Sequence, residues 1–401
     1  MSGALLMVDD RACSFTRYAA RERPHELVLL RFEEVRGDLS EQYLRETAHL
    51  PAFWVRADVP LEAEVERYLD WVADQPLQPT RFCNPSEPRQ HIAQRFAALA
   101  GLPHLSAEQV EWVRDKAAMK DKFRRLGLRT ASYQRIHHAT EVLDFAGVHG
   151  WPVVLKPVDS FACIDTYLLN GPDDLRQVDL TARRWLVEAY VGGTEWEACA
   201  LVFDGEVMDV WPSAMPSRPL DIVAGAMNAN ISVGAGPGPS SDVHGLVERI
   251  VHGMGIDHGY VHLEFFEADG EVYASEVGVR VAGCEITANH GHAYGFDVFG
   301  AVLDAYQGRR PVLAYTARRC VGDLLLPMPR SGIVRAVTSR QELLDLPGVI
   351  EAELRVAPGD RVHARRASHN ACGYVHVAGT TAVEVEKRMQ YVLDRFSIDI
   401  E

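Results

Sequence analysis

Seven charged residues between positions 116 and 280 form the most suggestive set in the chain. Lys156 ends the apolar run Pro152-Val-Val-Leu-Lys156-Pro157. An ammonium buried without an anion is costly, so this side chain needs a partner, and a phosphate fits. Lys116 follows Asp115 within a predicted helix, where a lysine taken alone is a solvated charge. Glu188 closes another apolar run; Gly192-Gly193 follow it, and Glu195 lies where it can return to the same cleft after that turn. Taken singly, each is an ordinary surface or satisfied carboxylate. Glu264 and Glu276 lie on two predicted strands joined by Ala268-Asp269-Gly270-Glu271, and Asp-Gly is a strong hairpin signal. Antiparallel pairing would bring these carboxylates close to register, where they repel unless a cation lies between them. Mg²⁺ commonly takes one or two protein carboxylates together with phosphates and water. Arg280 follows four residues after Glu276, in reach of the same place. The plain alternative is an exposed hairpin with solvated charges.

Other chemistries fit less well. His258 and His262 are four apart and His290 and His292 two apart, which invites a zinc site. Residues 259–266 read as a strand, however, so no helical i, i+4 pair forms, and there is no HExxH. His262-Leu-Glu264 lacks the P-C-x-x-C that zinc deaminases carry. Alternation along a strand puts His262 on the face of Glu264, so it is a candidate to line the site. The chain has neither a GxxxxGK[ST] phosphate loop nor a GxSxG nucleophile turn.

The elements that must hold these residues follow a mixed rhythm. Strands at Ala4–Val8 and Glu26–Phe32 alternate with helices near 14–21, 61–73 and 89–99, the pattern of a parallel sheet with helical crossovers. The first strand leads into DDRACS and not GxGxxG, so this unit is Rossmann-like without a dinucleotide fingerprint. Ser106-Ala-Glu-Gln109 is a capping box that opens one helix to Leu126, with Gly127 after it. Strands are expected at 132–136, 152–155, 166–170, 184–191, 197–203, 259–266 and 271–276, with a helix at 140–148. Pro212–Pro239 reads as long loops. The last ninety or so residues have turn glycines between short β-prone segments and a final helix at 381–395, an α+β unit. The expected division is 1–110, 111–310 with a smaller unit at about 130–187, and 311–401.

Composition sets outer limits. The chain has 401 residues, long enough for two or three domains, and is 47% hydrophobic and 24% charged, as globular proteins are. Its 41 Lys and Arg against 56 Asp and Glu give a net charge of −15, which disfavours nucleic acid and anionic membrane surfaces as partners. No apolar run is long enough to span a bilayer, and MSGALLMVDDRACSF has no signal-peptide pattern. The seven cysteines are dispersed with no CxxC pair, as expected of reduced thiols in the cytoplasm.

Taken together and in order, Lys116, Lys156, Glu188-Ala-Tyr-Val-Gly-Gly-Thr-Glu195, Glu264 and Glu276-Val-Gly-Val-Arg280 resemble the ATP-grasp superfamily. The resemblance covers about 110–310. It implies an α/β and α+β multidomain protein: a Rossmann-like N-terminal domain, a small lid and a large catalytic lobe. It implies ATP with Mg²⁺ or Mn²⁺, held by Lys116 and Lys156 on the phosphates, Glu188 and the backbone of Tyr190 and Val191 at the adenine, and Glu195 at the ribose. Glu264 and Glu276 would be the metal ligands and Arg280 the catalytic arginine; Ser160, His262 and Cys284 are further site-lining candidates. The implied activity is a carboxylate–amine ligase acting through an acyl-phosphate and releasing ADP and phosphate. Small-molecule carboxylates and amines, amino acids foremost, would be its partners, and a homodimer is an open assembly. Two features depart from the common pattern. Gly278 stands where many members have a metal-binding Asn, and the lid loop Val158–Ile164 lacks glycine. The small residue followed by R-x-A-G, with the glycine-punctuated C-terminal region, is similar to the L-amino-acid ligase branch, which makes dipeptides.

Overall fold

The computed structural model describes residues 3–364 and 367–401; Met1 and Ser2, part of the N-terminal stretch read above for a signal peptide, lie outside the described residues. Strands β1 (Ala4–Val8), β2 (Leu27–Phe32), β3 (Ala52–Val55) and β4 (Pro79–Cys83) form a parallel sheet in the order β3-β2-β1-β4. Every residue of β1 and β2 is buried. Helices cover both faces of such a sheet, which is why these strands read as unbroken apolar runs.

The second sheet is small and antiparallel. Strands β5 (Tyr133–Ile136), β6 (Val153–Pro157), β7 (Tyr167–Leu169) and β8 (Trp185–Ala189) run in the order β5-β8-β6-β7. The helix Ala139–His149 covers one face with Val142, Phe145 and Ala146, which join Val153, Leu155 and Val187 in a separate core.

The third sheet has eight strands. β9 (Thr194–Phe203), β10 (Glu206–Ala214), β11 (Ala229–Val233), β12 (His258–Ala268), β13 (Glu271–Val279), β14 (Cys320–Pro327), β16 (Val349–Leu354) and β18 (Ala371–Gly379) run in the order β13-β12-β9-β10-β11-β14-β18-β16. A lesser sheet joins β15 (Gly332–Val337), β17 (Arg361–Val362) and β19 (Ile398–Ile400). Strand alternation builds two cores from one strand: Ala198, Ala200 and Val202 face the helix Val243–Met254, while Cys199, Leu201 and Phe203 face the helices Ile286–Tyr294 and Val298–Tyr306. Strands β14, β16 and β18 of the region expected to close the chain, 311–401, thus extend the sheet that carries the Glu264–Glu276 hairpin, while β15, β17 and β19 form the lesser sheet.

Two expectations need correction. The helix foreseen from Ser106 to Leu126 is two helices, Ala107–Arg114 and Lys116–Arg125. Asp115 between them is extended, and its side chain accepts from the N–H groups of Ala117 and Ala118, both at 3.0 Å, so it caps the second helix. Lys116 therefore opens a helix, aimed by the break. The Gly- and Pro-rich stretch 212–239 is not all loop, since it holds the helix Pro219–Val223 and the wholly buried β11. All seven cysteines are free, and no helix among the described residues is long and apolar enough to cross a membrane.

Candidate active site

The small sheet and the β12–β13 hairpin enclose a cleft of about 150 Å³. Lys116, Lys156, Ser160, Glu188, Tyr190, Val191, Glu195, Glu264 and Glu276 all line it. Glu264 stands directly opposite Glu276 in the hairpin ladder, and a bulge at this point leaves Ser275 as the extra residue. Bulges re-aim side chains, and this one turns the strand at the acidic pair.

Glu276 is held at both oxygens. Lys156 Nζ lies 3.0 Å from Oε1 and Lys116 Nζ 3.1 Å from Oε2. Burial alone would raise this carboxyl, but the two lysines outweigh it and keep it ionised far below the usual range. Lys116 Nζ also donates to the Ser160 carbonyl at 2.6 Å. Burial would likewise lower Lys156, yet Glu188 and Glu276 drive it upward. A third lysine, absent from the set read in the sequence, completes the group. Lys120 is 1% exposed, lies 3.3 Å from Glu188 Oε1 and donates to Thr130 Oγ1 at 3.0 Å. Its spacing of one helical turn from Lys116 was a signal that could have found it. Glu188 Oε1 is within ion-pair range of Lys120 and Lys156 but accepts no well-directed hydrogen bond from either, which leaves a buried acceptor open.

At the other end of the cleft Glu195 is pushed up to about 8, first by burial and then by the charge of Glu264. Arg218 closes this end. Its guanidinium lies 4.9 Å from the centre of the Tyr190 ring and donates to the Tyr190 hydroxyl and, at 3.2 Å, to the Val191 carbonyl. No motif marks Arg218, which sits in the loop before a one-turn helix.

Behind the acidic pair, His262 Nε2 lies 3.2 Å from Glu264 and Nδ1 2.9 Å from the buried Glu197. Burial opposes the charge on this imidazole, but Glu197 raises it well above the usual value. His262 thus orients Glu264 from behind and does not line the cleft. Cys284 lines a different cavity, described below.

Arg280 lines neither cavity. It is partly buried, donates to the Val281 carbonyl at 2.8 Å through Nη1, and pairs through Nε with Glu87, which follows β4. Arg114 holds the other oxygen of Glu87 and the carbonyl of Asp159. Burial would raise Glu87, but Arg280 and then Arg114 keep it at about 2. A Cβ at Gly278 would meet Glu87 Oε2 at 3.4 Å, an ordinary van der Waals contact, so this position lies against the Glu87–Arg280 pair.

The lid loop after Lys156 is bent sharply. Ala162, Cys163 and Asp165 have φ of 51°, 55° and 56°, left-handed values that cost non-glycine residues about 1 kcal/mol or more each. The loop rests on the far side of the cleft: Ser368 N donates to the Ala162 carbonyl at 3.1 Å, and Phe161 stacks on His369 at 6.1 Å.

A second cavity of about 800 Å³ lies between the helix Ser14–Glu22, the turn Val281–Glu285 and the closing strands. Ser368 borders the first cleft and His369 the second, so one loop is a wall of both. In the second, Glu285 accepts from Ser14 Oγ and from Arg355 Nη2, each at 2.6 Å. Burial lifts Glu285 to about 7 against the pull of Arg355.

This architecture is the ATP-grasp fold, shared with solved ligases and synthetases. Residues 324–401 match the L-amino acid ligase C-terminal domain 2 family. The L-amino acid ligase of Bacillus licheniformis superposes with a TM-score of 0.76 at 16% identity, covering 100% of this chain and 99% of that one. A carboxyaminoimidazole ribonucleotide synthase from Aspergillus clavatus, solved with ATP, superposes at 0.73 with 14% identity, covering 99% of this chain and 100% of that one. Among curated proteins, the L-arginine-specific L-amino acid ligase of Bacillus subtilis is 22% identical over 273 residues. That alignment covers 65% of this chain and 66% of the relative, just short of two thirds of its length.

Proposed function

We propose that this chain is an ATP-dependent carboxylate–amine ligase that joins small molecules, amino acids foremost, through an acyl-phosphate, with release of ADP and phosphate. The observation that carries the reading is the convergence of buried Lys116 and Lys156 on Glu276, opposite Glu264, at the cleft wall.

The residues present fit a magnesium nucleotide. Glu188 Oε1 is a buried acceptor without a directed donor, suited to an amino group. The cleft's Lys116, Lys120, Lys156 and Arg218 are largely offset by the carboxylates of Glu188, Glu264 and Glu276, with Glu195 protonated, so an entering polyphosphate needs a further cation. Glu264 and Glu276 would hold it, and the crowding that lifts Glu195 is what such a cation relieves. When bound, Mg²⁺ neutralises phosphate charge and orients the group transferred. Lys116 and Lys156 then turn from Glu276 to phosphate oxygens, freeing that carboxylate. Tyr190, Val191 and Glu195 hold the nucleoside, and Arg218 braces them. Arg280, paired with Glu87 in the resting structure, would turn from it to meet the reacting carboxyl and phosphoryl oxygens. Carboxylate activation needs no side-chain nucleophile, because phosphorylation itself supplies the leaving group.

The second cavity suits the amino-acid substrates. Arg355 and Arg11 offer charge to a carboxylate, and Glu285 can accept from an ammonium. Incubation with ATP, Mg²⁺ and pairs of amino acids, with chromatography of the spent nucleotide and mass detection of products, tests the whole reading. ADP, phosphate and a coupled product are expected; AMP as the main nucleotide overturns the mechanism.

A further inference from the structure

A second group of metal-binding side chains lies outside the cleft. His292 is in the last turn of the helix Ile286–Tyr294, Glu351 is on the edge strand β16, and His376 pairs with Glu351 in register on β18. Their ligand atoms all lie within 4.8 Å of one another. His292 Nε2 is 2.8 Å from Glu351 Oε2, and His376 Nδ1 is 3.4 Å from the same oxygen. Ligands about 2.0–2.1 Å from a tetrahedral zinc are roughly 3.3 Å apart, so closing this triangle needs only small side-chain shifts.

Hydrogen bonding alone leaves the group incomplete. His376 is 0% exposed, and neither of its ring nitrogens makes a well-directed hydrogen bond. Leaving a buried polar group in this way is costly. The Tyr374 hydroxyl lies 3.4 Å from Glu351 Oε1, the oxygen turned away from the imidazoles, as an outer partner that orients a ligating carboxylate would. A cavity of about 380 Å³, bordered by Ser14, Arg17, His292 and Glu351, opens onto the group and leaves room for a further ligand.

We propose that His292, Glu351 and His376 bind one divalent zinc-class ion, distinct from any ion at Glu264 and Glu276. Two imidazoles and one carboxylate suit Zn²⁺ and not Mg²⁺. The ion would tie the helix that follows the Arg280–Glu285 turn to the edge of the closing strands.

The test uses the full-length, tag-free protein, stripped with a chelator and titrated with Zn²⁺ against a chromophoric competitor, with metal content measured after gel filtration. One ion per chain is expected, with a rise in melting temperature. His292→Ala, at a partly exposed helix position that tolerates alanine, should weaken binding about a hundredfold or more. His376→Ala should do the same if it folds, which its melting curve reports. Glu264→Gln and Cys199→Ser should leave zinc uptake as it is. The proposal is overturned if the wild type takes up no zinc at micromolar concentration, if His292→Ala binds as tightly as wild type, or if uptake is lost with Glu264 or Cys199.

Discussion

Glu195 holds its proton to about pH 8, against an ordinary 4.5, because it is buried beside Glu264. The unfolded chain releases that proton near 4.5, so the folded state binds more protons across the window between. Stability therefore falls as pH rises from about 5 to 8. The penalty is absent below 4.5 and complete above about 8. Glu285, lifted to about 7, adds a slope of the same sign. Glu195→Gln should flatten the fall in melting temperature between pH 5 and 8, leaving the smaller part due to Glu285; an unchanged slope would mean that Glu195 is ionised in the nucleotide-free protein. Arg280 carries a different expectation. A lysine keeps the charge but not the planar fork that pairs with Glu87 and can meet two reacting oxygens together. Arg280→Lys should lower the turnover rate about a hundredfold or more, with little change in ATP affinity, as loss of a contact made in the transition state does. Ligation at the wild-type rate would remove this arginine from the reaction.

The lid is the element whose behaviour follows most directly from its backbone. Three non-glycine residues in left-handed conformations make Asp159–Asp165 a poor resting shape, held by Ser368 and Phe161–His369 contacts across the cleft. Amide hydrogen exchange over 157–167 should be fast in the nucleotide-free protein and slow with ATP and Mg²⁺. Equal protection in both states would count against a lid. The strands and hairpin that bear the cleft were legible in the sequence because their signals are local. PVVLK and WLVE are apolar runs that end in a charge, and Asp269-Gly270 names its own turn. The break at Asp115 was not, since a Ser-x-x-Gln start and an unbroken apolar period hide an aspartate that caps a second helix. Nor was Glu87, whose partner Arg280 lies 193 residues away and whose burial depends on two domains meeting. β11 hid for a similar reason: flanked by glycine and proline, it is a strand because β10 and β14 pair with it on either side.

At the scale of the whole molecule, Glu87 joins the segment after β4 to Arg280 at the end of β13 and to Arg114, which in turn holds the loop after β6 at the Asp159 carbonyl. The eight-stranded sheet makes a second long-range connection, from the β12–β13 hairpin at one edge to β18 and β16 at the other. The stretch that matches the L-amino acid ligase closing domain begins at 324, in the middle of β14, which spans Cys320–Pro327 and pairs with β11 on one side and β18 on the other. A hybrid enzyme spliced at 324 would therefore inherit half a strand from each parent, with both neighbouring ladders mismatched. A crossover in the connecting segment 308–318, before β14 begins, keeps the strand whole. The early-junction hybrid should be recovered from expression as folded protein and the mid-strand hybrid mainly as aggregate, as measured by the soluble fraction and melting curve. For anyone recombining specificities among such enzymes, the unit of exchange is set by the sheet's hydrogen bonds and not by the boundary that sequence similarity draws.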